Sequence, residues 1–395
     1  MATVVTTPPR ARPTEARRPQ LAARDHVVTV LLSAWMTAGI FIDGWAHINL
    51  TRLETFFTPW HAVFYSGFVA TAAWISYQAL RFQPSLRRFR AEAVPAGYLV
   101  GLYGVVLFGV AGIADLVWHT AFGIETGIDA LLSPSHVALF LGSLLIGTSP
   151  IRALWSGSDR DDWSGSDRND WSGSDRDGWS GSAPDEWSGS DRSGWSAEEA
   201  PGSLAPVLGS LTLTTAGIAF FFLYLSPFTD LSPTTSFVRW ASRAPADLGY
   251  GEINYSLGVA SFLLSTVVLV TPLLIALQRF RLPFGTATLI FTTVAFGLVA
   301  MREFEPAAPL LGALAGGLLA DVALLKLRPS PQRPGAVCAA GALLPALLWT
   351  AHFGVLEAAY GIGWPAELWT GSIALSALVG LLVGFLLVMP RPQPY

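Results

Sequence analysis

Charged side chains are scarce in this chain, and their scarcity excludes several classes of protein. Of 395 residues, 13% are charged and 52% are hydrophobic, whereas a soluble domain carries about 25% charged residues. Lys326 is the single lysine, and no basic patch with interleaved aromatic residues exists, which argues against a nucleic-acid partner. Cys338 is the single cysteine, so the sequence predicts neither a disulfide framework nor a cysteine-based metal site.

The chain contains instead a series of long apolar runs. Each is about 20 residues long, the length that a helix needs to cross the hydrocarbon core of a lipid bilayer. The runs are continuous rather than alternating, and in lipid only helices and closed barrels satisfy their backbone groups. The pattern therefore predicts an all-α, polytopic integral membrane bundle. We predict about ten transmembrane helices, at residues 27–47, 60–80, 96–119, 134–153, 205–227, 255–277, 283–301, 309–325, 335–352 and 364–389.

The apolar runs form two groups around a polar, repetitive segment. In that segment Trp recurs every eight residues, mostly within Trp-Ser-Gly-Ser-Asp-Arg units, and such low complexity offers no packed core. We predict a disordered cytoplasmic tail over 1–25, a four-helix membrane unit over 26–153, an octapeptide-repeat linker over 154–204 and a six-helix membrane unit over 205–390. The tail lacks the apolar core of a cleavable signal peptide.

The placement of arginine predicts the orientation in the membrane. Positive charges concentrate in both terminal tails and in the even-numbered connections between helices, and cytoplasmic loops carry such an excess. The long fifth connection, which holds Arg239 and Arg243, is the exception. We predict a multi-pass protein of the cell membrane with both termini in the cytoplasm.

Two helical hairpins share one pattern of ionisable residues, which indicates an internal duplication. The first reads Asp43-x3-His47 and Thr58-Pro59-Trp60-His61, and the second reads Asp115-x3-His119 and Ser133-Pro134-Ser135-His136. Residues i and i+4 share a helix face, and Thr or Ser before proline suits a helix start. One carboxylate and two imidazoles can therefore converge on each hairpin, toward the outer face of the membrane.

A carboxylate with two imidazoles suits copper, zinc or non-haem iron, and ionisable residues in a membrane are functional candidates because they are costly. The predicted metal ligands are Asp43, His47, His61, Asp115, His119 and His136. The accessory candidates are Glu54, Glu125 and Asp129, together with His352 and Glu357 in a degenerate third copy of the pattern. Leu348 stands at the Asp position of that third copy.

The residues alone leave four functions open. A membrane oxidoreductase needs its ligands beside a closed, mostly apolar cavity. A metal transporter needs ionisable groups at several depths, for which Asp321 is the candidate nearest the inner face. A zinc-dependent hydrolase needs a carboxylate base such as Glu54 or Glu125. The fourth is a structural membrane protein whose histidines only lie at the membrane interface.

The second hairpin, with Asp115-x3-His119 and the Ser-Pro-Ser-His turn at 133–136, resembles the C subunit of the copper membrane monooxygenases for methane and ammonia. In that family an Asp-x3-His element and a Thr-Pro-Ser-His-like turn bind copper, and a second element carries Asn in place of Asp. The first hairpin resembles the same pattern. The likeness covers about residues 38–67 and 111–143.

The resemblance implies copper as the cofactor, a monooxygenase-like oxidoreductase or a subunit of one, and further membrane subunits as partners. It implies one copper at Asp43, His47 and His61 and another at Asp115, His119 and His136. This chain departs from the family because both copies begin with Asp, and because it adds six helices and a repeat linker. The resemblance supports copper more directly than it supports oxygen chemistry.

Overall fold

A computed structural model describes residues 18–50, 57–85, 87–123, 128–156, 204–243 and 250–389. Within these ranges the chain forms helices joined by turns, without a β-strand. The helices are α1 (Ala23–Asn49), α2 (Pro59–Leu80), α3 (Tyr98–Phe122), α4 (Ile128–Leu132), α5 (Pro134–Gly147), α6 (Ala205–Phe221), α7 (Thr235–Ala241), α8 (Tyr250–Leu277), α9 (Thr286–Ala300), α10 (Ala308–Leu327), α11 (Pro334–Tyr360) and α12 (Ala366–Val388). Helical residues follow α5 directly. The apolar helical span that begins with α5 is therefore Pro134–Ser156, called the α5 span below.

Seven of the described helices are long and apolar enough to cross a membrane, namely α1, α3, the α5 span, α8, α10, α11 and α12. Two more, α6 and α9, are apolar but shorter. The predicted all-α membrane bundle is thereby confirmed. Each of the ten predicted spans overlaps one helix, including the 22-residue α2, while the number of helices that cross the membrane stays a prediction.

Helix α11 differs from the predicted span at its C-terminal end. It continues to Tyr360, two turns past the predicted end at His352, because its buried apolar face continues through Phe353 and Leu356. Gly361, with φ of 70°, then ends the helix in a conformation that favours glycine. His352 is therefore a residue of the helix interior, and its predicted position at a helix end was wrong.

Two helix starts carry the predicted caps and set the positions of two histidines. The Thr58 side chain accepts a hydrogen bond from the backbone N–H of His61, and the Ser133 side chain accepts one from that of His136. A proline follows each cap, at the first helical position, where its missing N–H costs nothing. Each histidine consequently lies in the first turn of its helix, as predicted.

Buried apolar side chains form two clusters, one on each side of the repeat segment. The first cluster includes Met36, Phe108 and Ile146, from α1, α3 and α5. The second extends from α6 to the start of α12 and includes Trp349. Helix α6 joins the two units by packing on α1. There the ring of Phe220 lies edge-on against the ring of Phe41, with centroids 5.1 Å apart.

The two hairpins of the first unit pack through equivalent close contacts. A Cβ on Gly67 would lie 2.8 Å from Met36 Cα, and a Cβ on Gly142 would lie 3.0 Å from the Phe108 backbone nitrogen. Each glycine stands six residues after the second histidine of its hairpin, and each partner stands seven residues before the aspartate. The internal duplication predicted from polar residues therefore extends to the packing of the helices.

The hairpin of α11 and α12 does not repeat this register. In the degenerate third copy, Glu367 stands where the second histidine stands in the two hairpins. The residue seven positions before Leu348 is Gly341, and it lies against Gly380, thirteen residues after Glu367. In the two duplicated hairpins the equivalent contact lies six residues after the second histidine. The side chains of α11 and α12 that the sequence aligned with the metal ligands are consequently not brought opposite one another in the same way.

We expect Gly67→Ala to lower the free energy of unfolding by about 1–3 kcal/mol, because the added methyl group would force α1 and α2 apart. Gly371→Ala is the matched control in α12, since a Cβ there meets nothing within 4 Å and alanine favours a helix interior by up to about 1 kcal/mol. Thermal unfolding in detergent, followed by intrinsic fluorescence, compares the two. Equal melting temperatures would contradict the close contact.

Candidate metal centre

The first set of predicted ligands converges at one end of the α1–α2 hairpin. Asp43 and His47 project from the last turns of α1, and His61 projects from the first turn of α2. Asp43 Oδ2 lies 3.9 Å from His47 Nε2 and 3.5 Å from His61 Nε2. The i, i+4 spacing and the capped start of α2 thus bring the three side chains together, as the sequence predicts.

The second set converges in the same way between α3 and α5. Asp115 Oδ1 lies 3.5 Å from His119 Nε2 and 3.4 Å from His136 Nε2. The Asp115 side chain is only 1% exposed and that of His119 only 2%, whereas that of His136 is 22% exposed. His136 is therefore the most exposed of the three side chains in this set.

The two sets lie side by side and form one cluster rather than two separate sites. The rings of His61 and His119, which come from different hairpins, have centroids 6.3 Å apart. Among the described residues, two groups have ligand atoms mutually within 4.8 Å: Asp43 with His47 and His61, and Asp115 with His61 and His119. His61 belongs to both groups, a sharing that the sequence did not predict.

Hydrogen bonds on the far side of each ring hold the imidazoles in place. Thr58 Oγ1 lies 3.0 Å from His61 Nδ1, and Ser133 Oγ lies 2.5 Å from His136 Nδ1. His119 Nδ1–H donates to the Gly123 carbonyl at 3.2 Å, which assigns the lone pair to Nε2. Such an outer bond fixes the ring orientation and tautomer of a metal-binding histidine.

Two hydroxyl groups support Asp115 and were missed by the sequence reasoning. Tyr65 Oη donates to Asp115 Oδ2 at 3.2 Å, and Ser135 Oγ donates to Asp115 Oδ1 at 3.0 Å. Tyr65 stands one turn after His61, and Ser135 directly precedes His136 in the quoted turn. Both signals were present in the sequence, but only the packing of α2 against α3 shows that Tyr65 reaches the other hairpin.

The separations between donor atoms fit ligands that share an ion. They are 3.4–3.9 Å, beyond the 2.7–3.2 Å of an ordinary N–H···O hydrogen bond. Two ligands at about 2.0–2.1 Å from one tetrahedral ion are about 3.4 Å apart. In addition, the buried Oδ1 of Asp43 has no hydrogen-bond partner among the described residues. The arrangement therefore leaves a carboxylate oxygen of Asp43 available to a cation, beside imidazole rings at separations that suit shared ligands.

The charges of the cluster also call for a cation. Asp43 and Asp115 belong to two ligand groups that share His61, and two carboxylates in a poorly solvated environment repel each other strongly. A buried charge persists only when it is paired or coordinates a metal. A metal ion in each ligand group would compensate the carboxylate of that group.

A mostly apolar cavity of about 100 Å³ adjoins the cluster. Asp43, His47 and His136 face it, and helix α6 closes its far side with Phe220 and Phe221. Tyr224, just beyond α6, adds a hydroxyl group to the lining. The second membrane unit thus completes the wall of a cavity whose ligands all come from the first unit.

Of the accessory candidates, only Glu357 and His352 have side chains that the structure describes. Glu54 and Glu125 lie outside the described residues, as does the side chain of Asp129. Glu357 Oε2 accepts a hydrogen bond from the backbone N–H of Ile362 at 2.6 Å, which holds the turn after α11. Glu357 therefore belongs to that turn, and among the described residues it is in neither group of convergent ligand atoms.

His352 lies apart from the cluster, in an aromatic enclosure of the second unit. Its ring contacts Phe228, Phe262, Trp349 and Phe353, with centroids 5.7–6.1 Å away. It is fully buried, and neither ring nitrogen has a hydrogen-bond partner among the described residues. Within the part of the chain described, it belongs to neither group of convergent ligand atoms.

We expect His352→Leu to raise the free energy of unfolding by about 1–3 kcal/mol, the cost of leaving a buried polar group without a partner. The substitution should leave any bound metal unchanged, because His352 is remote from the cluster. Melting temperature and metal content of the purified variant check both statements. A loss of metal in a folded His352→Leu variant would show that the third histidine element does take part in binding.

Comparison with known proteins adds no relative to these observations. No protein-family model, no curated protein and no solved structure matches the chain. The resemblance to the copper membrane monooxygenases thus stays a prediction that rests on the two hairpins.

Proposed function

We propose that the cluster binds one or two transition-metal ions, with copper favoured, and that the protein is a membrane oxidoreductase or a subunit of one. The observation that carries the proposal is the convergence of all six predicted ligands on one buried cluster, with His61 common to two ligand groups. A duplicated pattern without a metal would not require two carboxylates and four imidazoles to meet.

The residues of the cluster would bind metal as two ligand groups. Asp43 and His47 would bind one ion together with His61, while Asp115 and His119 would bind the other, with His136 on the side of the cavity. Imidazole suits copper, zinc and iron, and divalent copper generally binds such sites most tightly of the three. When bound, copper supplies one-electron redox chemistry, which none of these side chains offers.

The surroundings of the cluster suit a reactant of small size. An apolar cavity of 150 Å³ accommodates a benzene molecule, so a cavity of about 100 Å³ accepts something no larger. The phenylalanines of α6 line this cavity together with His136 and Asp43 and would reduce the access of water to them. Exclusion of water strengthens the electrostatic interactions inside a site and suppresses side reactions.

Asp321, the candidate for a second ion position in a metal transporter, is already hydrogen-bonded within the protein. Asp321 accepts hydrogen bonds from the backbone N–H groups of Ala287 and Thr288 and from the Thr288 hydroxyl, at 2.9, 3.0 and 2.6 Å. Its charge is thus committed to the start of helix α9. A zinc-dependent hydrolase would use the same donor geometry, and the metal identity separates it from the favoured proposal.

We further propose that the cluster faces the outside of the cell. The seven long apolar helices support a multi-pass membrane protein. The Asp25–Arg81 ion pair, with atoms 2.9 Å apart, joins α1 and α2 at the end of their hairpin away from His61. The arginine-rich connection that follows α2 would be cytoplasmic by the usual bias, which puts the cluster at the opposite face.

Elemental mass spectrometry of protein purified from cells supplied with copper and zinc tests the proposal. We expect one or two copper ions per chain, and partial loss in the Asp43→Ala/His47→Ala and Asp115→Ala/His119→Ala variants. His61→Ala should reduce metal at both positions, because both ligand groups include His61.

His352→Leu is the matched control, since it removes a buried histidine outside the cluster and should retain the full metal content. Zinc in place of copper would favour the hydrolase. A folded protein that retains no transition metal under any supply would refute the proposed function.

We also expect Tyr65→Phe to weaken metal binding by about tenfold, the lower end of the usual effect of losing an outer partner of a metal ligand. The variant keeps the ring but removes the hydrogen bond to Asp115. Competition with a chromogenic chelator measures the affinity. Tyr103→Phe is the control, because that tyrosine lies on α3 and is 57% exposed. Equal affinities of the two variants would show that Tyr65 does not position the carboxylate.

A further inference from the structure

A second cavity, of about 480 Å³, lies between the connection from α8 to α9 and the connection from α10 to α11. Phe280 in its wall packs against Trp155, with ring centroids 5.9 Å apart. Trp155 ends the Pro134–Ser156 span, whose beginning carries His136. The cavity is therefore at the end of the bundle opposite to the metal centre, the end predicted to be cytoplasmic.

The lining of this cavity is strongly positive. Arg281 comes from one connection, and Arg328 and Arg333 come from the other. Asp321 is the one acidic residue among the described residues of the lining, but it is 2% exposed and accepts three hydrogen bonds at the start of α9. Three arginines thus line a space whose one described carboxylate is already hydrogen-bonded within the protein.

The connection that carries two of these arginines is well ordered by local bonds. Arg328 ends α10 in the left-handed region, with φ of 47°, and its N–H bonds to the Leu324 carbonyl. Arg333 N–H donates to the Ser330 carbonyl at 2.9 Å, and prolines stand on both sides of Ser330. Such a preformed turn lowers the entropy cost of binding a ligand.

The cavity also has an apolar margin. Phe284 and Leu325 belong to its lining, and both are largely exposed, at 59% and 61%. Leu318 and Val322 continue the exposed apolar face along α10. A ligand in this position would therefore meet guanidinium groups at one end and a lipid-facing helix at the other.

We propose that this cavity binds the phosphate group of an anionic phospholipid, with the acyl chains lying along the exposed face of α10. Guanidinium groups recognise phosphate oxygens through paired, charge-assisted hydrogen bonds. Basic pockets between transmembrane helices on the cytoplasmic side suit anionic headgroups. The positive-inside bias alone would explain arginines in these connections, but not their arrangement around a cavity with an apolar margin.

Native mass spectrometry of the full-length protein in detergent tests the site, with phosphatidylglycerol, phosphatidylcholine and inorganic phosphate as probes. We expect phosphatidylglycerol to bind at least tenfold more tightly than phosphatidylcholine. The Arg281→Gln/Arg328→Gln/Arg333→Gln variant should lose at least tenfold in affinity for phosphatidylglycerol. Displacement of the lipid by inorganic phosphate at equal concentration would keep the phosphate site but identify free phosphate as its ligand.

The matched control is Arg87→Gln/Arg88→Gln/Arg90→Gln, which removes the same charge from the connection between α2 and α3 at the same end of the bundle. It should bind phosphatidylglycerol normally. Equal losses in both triple variants would reduce the effect to general charge attraction and overturn the proposal. Phosphatidylglycerol binding that does not weaken when the cavity arginines are replaced would overturn it as well.

Replacement of the three cavity arginines by lysine covers the case in which the glutamine variant does not fold. Lysine keeps the charge but loses the paired geometry of the guanidinium group. We expect phosphatidylglycerol to bind several-fold more weakly to this variant, and undiminished binding would overturn the proposal.

Discussion

The buried carboxylate of Asp115 is the constraint on which the first membrane unit depends. An isolated charge inside a membrane protein is very costly unless it is paired or hydrogen-bonded. Asp115 receives hydrogen bonds from Tyr65 and Ser135, and His119 and His136 approach one of its oxygens. Because these partners come from α2, α3 and α5, the satisfaction of one carboxylate holds three helices together at a single end of the bundle.

Two aspartates, Asp321 and Asp43, differ in how completely their carboxylate oxygens are hydrogen-bonded. Asp321 accepts three hydrogen bonds at the start of α9, so its charge is satisfied and it joins two helices of the second unit. Asp43 keeps a buried oxygen without a hydrogen-bond partner among the described residues, although two imidazoles lie beside the other oxygen. That incomplete satisfaction, at a cluster rich in imidazole, is the physical argument for a metal ion at Asp43.

The second unit contributes to the proposed function although it supplies none of the described cluster's ligands. Helix α6 closes the cavity beside the metal centre, and the connections around α9 and α10 form the arginine-lined cavity at the opposite end. In this arrangement one face of the bundle would carry metal chemistry and the other would hold a lipid headgroup. His352 lies in an aromatic enclosure of the second unit and, among the described residues, is in neither group of convergent ligand atoms.

The sequence by itself determined the helices, the capped starts at Thr58 and Ser133, and which six residues are the candidate ligands, because run length, capping and i, i+4 spacing are local properties. Only the tertiary structure decided that the two ligand sets form one cluster around His61, that Tyr65 reaches Asp115 across hairpins, and that His352 lies apart. Those outcomes depend on how closely helices approach one another, and that distance is determined by contacts between residues far apart in the chain.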